Sequence, residues 1–271
     1  MRQSTLGFTL IELSIVLVII GLIVGGVLVG RNLIDAAAIR AQITQIEKFN
    51  TATNIFYGKY GYLPGDIPAG SATMFGFTAG SGAGGHGDGN GTLEACSATH
   101  GYGRSVNCEA MLFWVHLSQA GLIENGFNLA GNTVSADSGP TLTTSNIDSF
   151  LPQAKLGNGN YVAAFYDSNF LNSYNYFFVG GITAQTAGTW QADYTATNNI
   201  TPAQAYAIDN KTDDGFPGTG RMLTIGLNGN STSYPGFGNG GSSSGNCLAS
   251  GGTAYKVAYT GPACQFLIQF Q

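Results

Sequence analysis

Phe8 to Val29 reads FTLIELSIVLVIIGLIVGGVLV, an apolar run that carries a single ionisable residue, Glu12. As a helix it is long enough to cross a bilayer core of roughly 30 Å. Ahead of it, Met1 to Gly7 is short and polar with one basic residue, Arg2. A cleavable secretory signal has a shorter apolar stretch followed by a small-residue cut site. Here Gly30, Arg31 and Asn32 follow instead, so the segment is expected to stay with the protein as a transmembrane helix. An acidic group costs roughly 2.5–3.5 kcal/mol at mid-membrane depth and less near the edge. Glu12 therefore calls for a positive partner, and the apolar side of the run offers none within helical reach. The alternative is a carboxylate that reaches out to the headgroups.

Moving outward, the helical pattern continues past Gly30. Ile39, Ile43, Ile46, Phe49, Thr53, Phe56 and Tyr60 recur at three- or four-residue intervals, while Asp35, Arg40, Gln42, Gln45, Glu47 and Lys48 fall largely elsewhere. No proline interrupts Phe8 to Leu63, and Pro64-Gly65-Asp66 ends the run. The spacing predicts one helix of about 75 Å, apolar all round in its first half and amphipathic in its second. That is the shape of a membrane stalk whose far end packs on a globular head. Gly21, Gly25 and Gly26, with Gly30, allow close helix contacts, Gly21 and Gly25 as a G-x-x-x-G pair; the alternative is the ordinary glycine content of a membrane helix.

Composition narrows the function. Net charge is -5, from 15 acidic and 10 basic residues, which gives no basic face for nucleic acid. There are 41 Gly, but 44% of residues are hydrophobic, enough for a packed core. Cys96, Cys108, Cys247 and Cys264 lack C-x-x-C or zinc-ligand spacing. Behind a membrane segment they read as two disulfides in an oxidising compartment, with free buried thiols as the alternative. Of three connectivities, Cys96–Cys108 with Cys247–Cys264 closes two short loops that do not cross. No catalytic constellation is present (no G-x-S-x-G, H-E-x-x-H, Walker loop or Cys–His pair), so no enzyme is expected.

The rest of the chain reads as an α+β head. Ala69 to about Gly103 is a Gly/Ser/Thr-rich loop that includes Gly84-Gly85-His86-Gly87-Asp88-Gly89-Asn90-Gly91. Glu109–Ala120 predicts a helix with Ala110, Phe113, Trp114 and Leu117 on one side, Gly121 as terminator and His116 as a packed or surface histidine. Antiparallel strands are expected at Tyr161–Tyr166, Tyr174–Ile182, Met222–Leu227, Ala254–Tyr259 and Gln265–Phe270, with a long loop at Asn228–Asn246. Thr201-Pro202 starts a helix over Ala203–Ile208. It leads into Asp209, Asp213 and Asp214, which form either a structural Asp-Asp-Gly turn or an oxygen-ligand site for Ca²⁺. Lys211 at a ligand place and a late glycine break the EF-hand spacing.

Gly7-Phe8-Thr9-Leu10-Ile11-Glu12-Leu13 resembles the leader and processing site of type IV prepilins and type II secretion pseudopilins: a basic leader ending in Gly, then Phe, then Glu four residues on, then an apolar helix. The resemblance covers roughly residues 1–65 and is only architectural beyond. It implies a pilin-like fold, a long N-terminal helix on an antiparallel sheet. It implies prepilin peptidase cleavage between Gly7 and Phe8, methylation of the Phe8 amine, and Glu12 as an assembly residue meeting Phe8 of a neighbour. The divisions implied are a leader at 1–7, an assembly half at 8–30, an amphipathic half at 31–62 and a head at 63–271. Partners implied are copies of itself or other pilins, the peptidase, assembly-platform proteins and, before assembly, the bilayer. The place implied is the inner membrane with a periplasmic head, then a pseudopilus or an extracellular pilus. Some pseudopilins bind calcium in a head loop, which keeps that alternative open for the three aspartates; otherwise no cofactor is expected. A different class of function is a binding head that recognises a surface, a glycan or DNA, for which the aromatics of Tyr234–Phe237 are candidates.

Overall fold

The computed structural model describes residues 9–80, 87–94, 108–124, 126–128, 142–167, 174–184, 195–197, 199–228, 231–233, 246–249 and 251–270. Helix α1 spans Leu10–Tyr60, 51 residues without a break, about 75 Å at 1.5 Å per residue. It ends where Gly61 takes φ 77°, a left-handed cap whose N–H donates to the Tyr57 carbonyl at 2.8 Å.

Among the described residues, only the second half of α1 meets the head. Ile39, Ile46, Phe49, Ala52, Thr53 and Phe56 are buried, and Ile43 and Tyr60 pack partly against them. The expected stripe is correct but incomplete, because Gln42 and Gln45 also lie on the buried face. Each reaches the backbone of a loop at 153–156. Gln45 donates to the Gln153 carbonyl at 2.8 Å and accepts from Lys155 N–H at 3.0 Å, while Gln42 accepts from Leu156 N–H at 3.2 Å. The polarity of these side chains hides their burial from a periodicity count.

Two short helices frame the core: α2 (Ala69–Phe75), unexpected within a Gly/Ser/Thr-rich stretch, and α3 (Cys108–Gln119). Helix α3 is buried on every side from Cys108 to Leu117, not on one side as expected. It lies between α1 and the sheet. Trp114 meets Phe49 edge-on at 4.8 Å, Phe113 meets Phe177 at 5.9 Å, and Phe177 stacks on Phe270 at 4.1 Å. Such pairs contribute roughly 0.5–1.5 kcal/mol each beyond area burial. Gly121, at φ 67°, terminates α3, with Leu122 N–H returning to the Leu117 carbonyl.

The sheet is antiparallel throughout. Its longer strands are β1 (Asn160–Asp167), β2 (Tyr174–Ala184), β4 (Met222–Asn228) and β6 (Cys264–Gln269), with three-residue strands β3 (Thr195–Thr197) and β5 (Ser231–Ser233) beside them. The order is β1-β2-β6-β4-β5, with β3 on β2. The C-terminal strand therefore sits centrally, pairing Phe178 with Leu267 and Leu223 with Leu267. Helix α4 (Pro202–Thr212) starts at a capping box between Thr201 and Gln204.

Two expectations change. Ala254–Tyr259 is not a strand: it makes one bridge, Leu248 to Tyr255, and then turns, Tyr259 N–H donating to the Lys256 carbonyl at 2.8 Å. Tyr255 is instead drawn inward by its hydroxyl, 2.6 Å from Asp209 Oδ2 and 2.7 Å from Thr224 Oγ1. Part of the expected Asn228–Asn246 loop forms β5, which hairpins back on β4.

Candidate functional site

The first turn of α1 is closed by its own side chains. Thr9 is the N-cap: its Oγ1 accepts from Glu12 N–H at 3.3 Å. In return, Glu12 Oε2 accepts from Thr9 N–H at 2.9 Å and from Thr9 Oγ1–H at 2.8 Å. The carboxylate is thus aimed back along the helix axis, toward the residue that follows Phe8, and it sits at the positive end of the helix dipole. Gly7 and Phe8, the expected processing residues, lie outside the described residues.

From Leu10 to Val29 no side chain of α1 is buried. Leu10 is 87% exposed and the apolar surface runs on to Ile34 at 70%. A single such residue means nothing, but a continuous uncovered apolar helix requires a bilayer or other helices around it. A Cβ placed at Gly21, Gly25, Gly26 or Gly30 would meet nothing within 4 Å. Among the described residues, packing does not demand those glycines; they leave a surface that another helix could approach closely.

The head grips the other half of α1 rigidly. Besides the two glutamines, His116 fastens the turn after α1: Gly65 N–H donates to Nδ1 at 2.9 Å, so Nε2 carries the proton and donates to the Thr78 carbonyl at 2.8 Å. Burial holds this imidazole well below its ordinary range, at about 4, so it stays neutral. It is the packed histidine the sequence suggests, stacked parallel to Phe56.

Cys247 and Cys264 form the expected disulfide, which pins the lobe between them to the start of β6. Cys108 is also disulfide-bonded; its expected partner Cys96 lies outside the described residues, as do Tyr234–Phe237.

Two carboxylate groups gather in the head. Oxygens of Asp209, Asp213 and Asp214 lie within 4.8 Å of one another. Oxygen donors of this kind suit Ca²⁺. Most are already engaged: Asp209 accepts from Tyr255 O–H and Gly215 N–H, Asp213 from Arg221 and Met222 N–H, and Asp214 from Phe216 N–H and Thr219 O–H. These bonds shape an Asp-Asp-Gly turn. Burial raises the Asp209 carboxyl to about 6, with the Tyr255 and Gly215 hydrogen bonds opposing.

The second group, Asp66, Asp88 and Glu109, has the same 4.8 Å span and no sequence spacing that would have found it. Asp66 accepts from Gly89 and Gly91 N–H, both at 2.7 Å, and Glu109 Oε2 accepts from Glu94 N–H at 2.7 Å. These bonds lash the glycine-rich strip 87–94 onto the head. A Cβ at Gly87 would collide with the Asp66–Ile67 peptide, which explains glycine there.

Residues 2–28 match the family described as the prokaryotic N-terminal methylation motif, the signature of type IV pilins and pseudopilins. No curated protein and no solved structure matches the chain significantly.

Proposed function

We propose that the chain is the precursor of a structural subunit, a pilin or pseudopilin, of a type IV pilus or a type II secretion pseudopilus. Prepilin peptidase would cut between Gly7 and Phe8, methylate the Phe8 amine, and leave the subunit in the inner membrane with its head in the periplasm. Assembly-platform proteins would then pass it into a filament of like helices. The observation that carries this reading is the coincidence of the methylation motif with an apolar helix that none of the described residues covers.

Glu12 supports it in detail. In the single chain its carboxylate is held by Thr9, one peptide from the amine that cleavage would free. A carboxylate in apolar surroundings is stabilised by an ammonium at hydrogen-bond distance. A neighbour offset axially by about four residues, roughly 6 Å of helix, would bring its own Phe8 amine to that place. The pairing would set the stagger between subunits.

Two measurements test this. Mass spectrometry of the native N-terminus should show a chain that begins at methylated Phe8. Glu12→Ala should abolish incorporation into sheared filaments or the envelope pseudopilus while the head keeps its fold. A natural protein that still begins at Met1, or a Glu12→Ala chain that polymerises normally, would refute the reading. Recovery in the sheared surface fraction would indicate a pilus, and retention in the envelope a secretion pseudopilus.

A further inference from the structure

The head does not end where it leaves the sheet; one turn of it returns to the level at which α1 emerges from its apolar half. A recess of about 530 Å³ lies between α1 and the head, lined by Asp35 and Ile39 of the helix and by Val257, Tyr259 and Pro262 of the turn that follows Lys256. Asp35 is five residues beyond Gly30, about 7.5 Å along the axis. The polar zone of a bilayer extends roughly 5–7 Å beyond the hydrocarbon on each side. The apolar surface of α1 itself continues to Leu33 and Ile34, both more than 60% exposed. Counted from Ile34, Asp35 is one residue on, about 1.5 Å along the axis, so with α1 in a membrane the Lys256–Pro262 turn, which shares the recess with Asp35, lies at headgroup height.

Its composition suits that height. Val257 is 51% exposed and stands between an exposed Lys256 and a half-buried Tyr259. An aromatic ring with a polar tip, a small apolar side chain and a lysine are the residue types that settle at a membrane interface. The charged groups on α1 from Gly30 to Ala41 and on the turn are Arg31, Asp35, Arg40 and Lys256. Three are positive and one negative, in a chain whose net charge is -5. The excess is the sign that anionic lipid attracts.

We infer that the Lys256–Pro262 turn is a foot that rests on the phospholipid headgroups of the membrane holding α1, with anionic lipid as its partner. It fixes the tilt of the head over the bilayer before the subunit leaves it. The Cys247–Cys264 disulfide and the Tyr255 hydroxyl, anchored on Asp209 and Thr224, hold the foot to the head, so a tilt of one is a tilt of both. The inference rests on α1 spanning the membrane, and the test separates the two.

The full chain is reconstituted in vesicles of phosphatidylethanolamine and phosphatidylglycerol that contain lipids brominated near the headgroup or near the chain ends. Tryptophan is placed singly at Val257, at Met74 and at Leu22, and quenching is taken relative to the parent chain. Leu22→Trp should be quenched by the chain-end bromines, which reports the span. Val257→Trp should be quenched by the headgroup-proximal bromines at least twice as strongly as Met74→Trp, at an exposed site past the far end of α1. Adding Lys256→Glu should halve the Val257→Trp signal. Equal quenching at Val257→Trp and Met74→Trp overturns the foot while a quenched Leu22→Trp leaves the span standing. A Val257→Trp signal that Lys256→Glu leaves unchanged overturns it too, and an unquenched Leu22→Trp overturns both.

Discussion

Glu109→Gln should stabilise the head, and more so as pH rises. Glu109 is 5% exposed in the first turn of α3, and its neighbours Asp66 and Asp88 are carboxylates too, with oxygens within 4.8 Å of one another. Burial pushes the Glu109 carboxyl up to about 9; the charges of Asp66, Glu94 and Asp88 add to the shift, and the Glu94 N–H opposes it. In the unfolded chain the same group ionises near 4.5. Between these values the folded protein keeps a proton that the unfolded chain has released, so stability is greatest below pH 4.5 and falls as pH rises through 9. At pH 7 the interval is 2.5 units, and at about 1.4 kcal/mol per unit the loss is about 3 kcal/mol. Glutamine keeps an oxygen for Glu94 N–H and has no charge to suppress. For a head of this size, about 2–4 °C per kcal/mol gives a rise in Tm of about 6–12 °C at pH 7, and almost none at pH 4. The measurement is thermal melting of the full chain in non-ionic detergent with EDTA, followed by near-UV circular dichroism. A drop in Tm at pH 7, or a shift of equal size at both pH values, would refute the reasoning. A Tm that Ca²⁺ raises in the parent and not in Glu109→Gln would refute it as well, by showing a cation among the carboxylates.

Other outcomes follow from the same geometry. Gln45→Leu leaves the Gln153 carbonyl and the Lys155 N–H without their partner and should cost about 2–3 kcal/mol, read as a lower Tm. The His116 ring should not titrate in NMR between pH 7.5 and 5, since burial keeps it neutral until about pH 4; a midpoint near 6.5 would refute its burial between Gly65 and Thr78. Its folded pKa is depressed, so its contribution is fully present above pH 6.5 and is lost as pH falls through 4, opposite in sign to Glu109. Replacing Cys247 and Cys264 together by serine opens a loop with a sequence separation of 17 and should cost about 3 kcal/mol. It should also free Tyr255 from Asp209, visible as faster amide exchange from Leu248 to Tyr259.

How much of this was legible in the sequence differs between the two halves of the chain. The long helix, its end before Pro64 and the start of α4 at Thr201 were readable because each rests on local rules of periodicity, capping and breaking. Tyr255 was not: its segment alternates like a strand, yet a hydroxyl that reaches Asp209 across 46 residues of sequence decides its path. Gln42 and Gln45 fall off the apolar stripe by polarity alone, yet both face the head, where Gln45 through both ends of its amide and Gln42 through its oxygen pair with the backbone of 153–156. The carboxylates of Asp66 and Glu109 lie in different elements, and no spacing in the chain announces that they meet. On Glu12 the sequence was informative because a lone charge in an apolar run is anomalous without any structure at all.

The division of α1 has a consequence for assembly on the proposed reading. Inside the bilayer, exchanging lipid for a neighbouring helix gains little hydrophobic energy, since lipid tails are as apolar as leucine. The first contacts between subunits must then be selected by something other than greasiness, and the uncovered half of α1 offers two such features. Glycines at 21, 25, 26 and 30 let another backbone approach closely, because no described side chain occupies their surface. Glu12 supplies the one charge with a preferred axial position, already oriented along the helix by Thr9. Once a subunit leaves the membrane the balance reverses. Every side chain from Leu10 to Val29 is then uncovered to water, at about 25 cal/mol per Å² of apolar surface, and only neighbouring helices can cover it. Selectivity would come from Glu12 and the glycines while the helix is in lipid, and cohesion from the apolar surface after it has left. Glu12→Ala should therefore stop subunits from joining, whereas Leu17→Ser, on the uncovered surface, should let them join and then shed under shear.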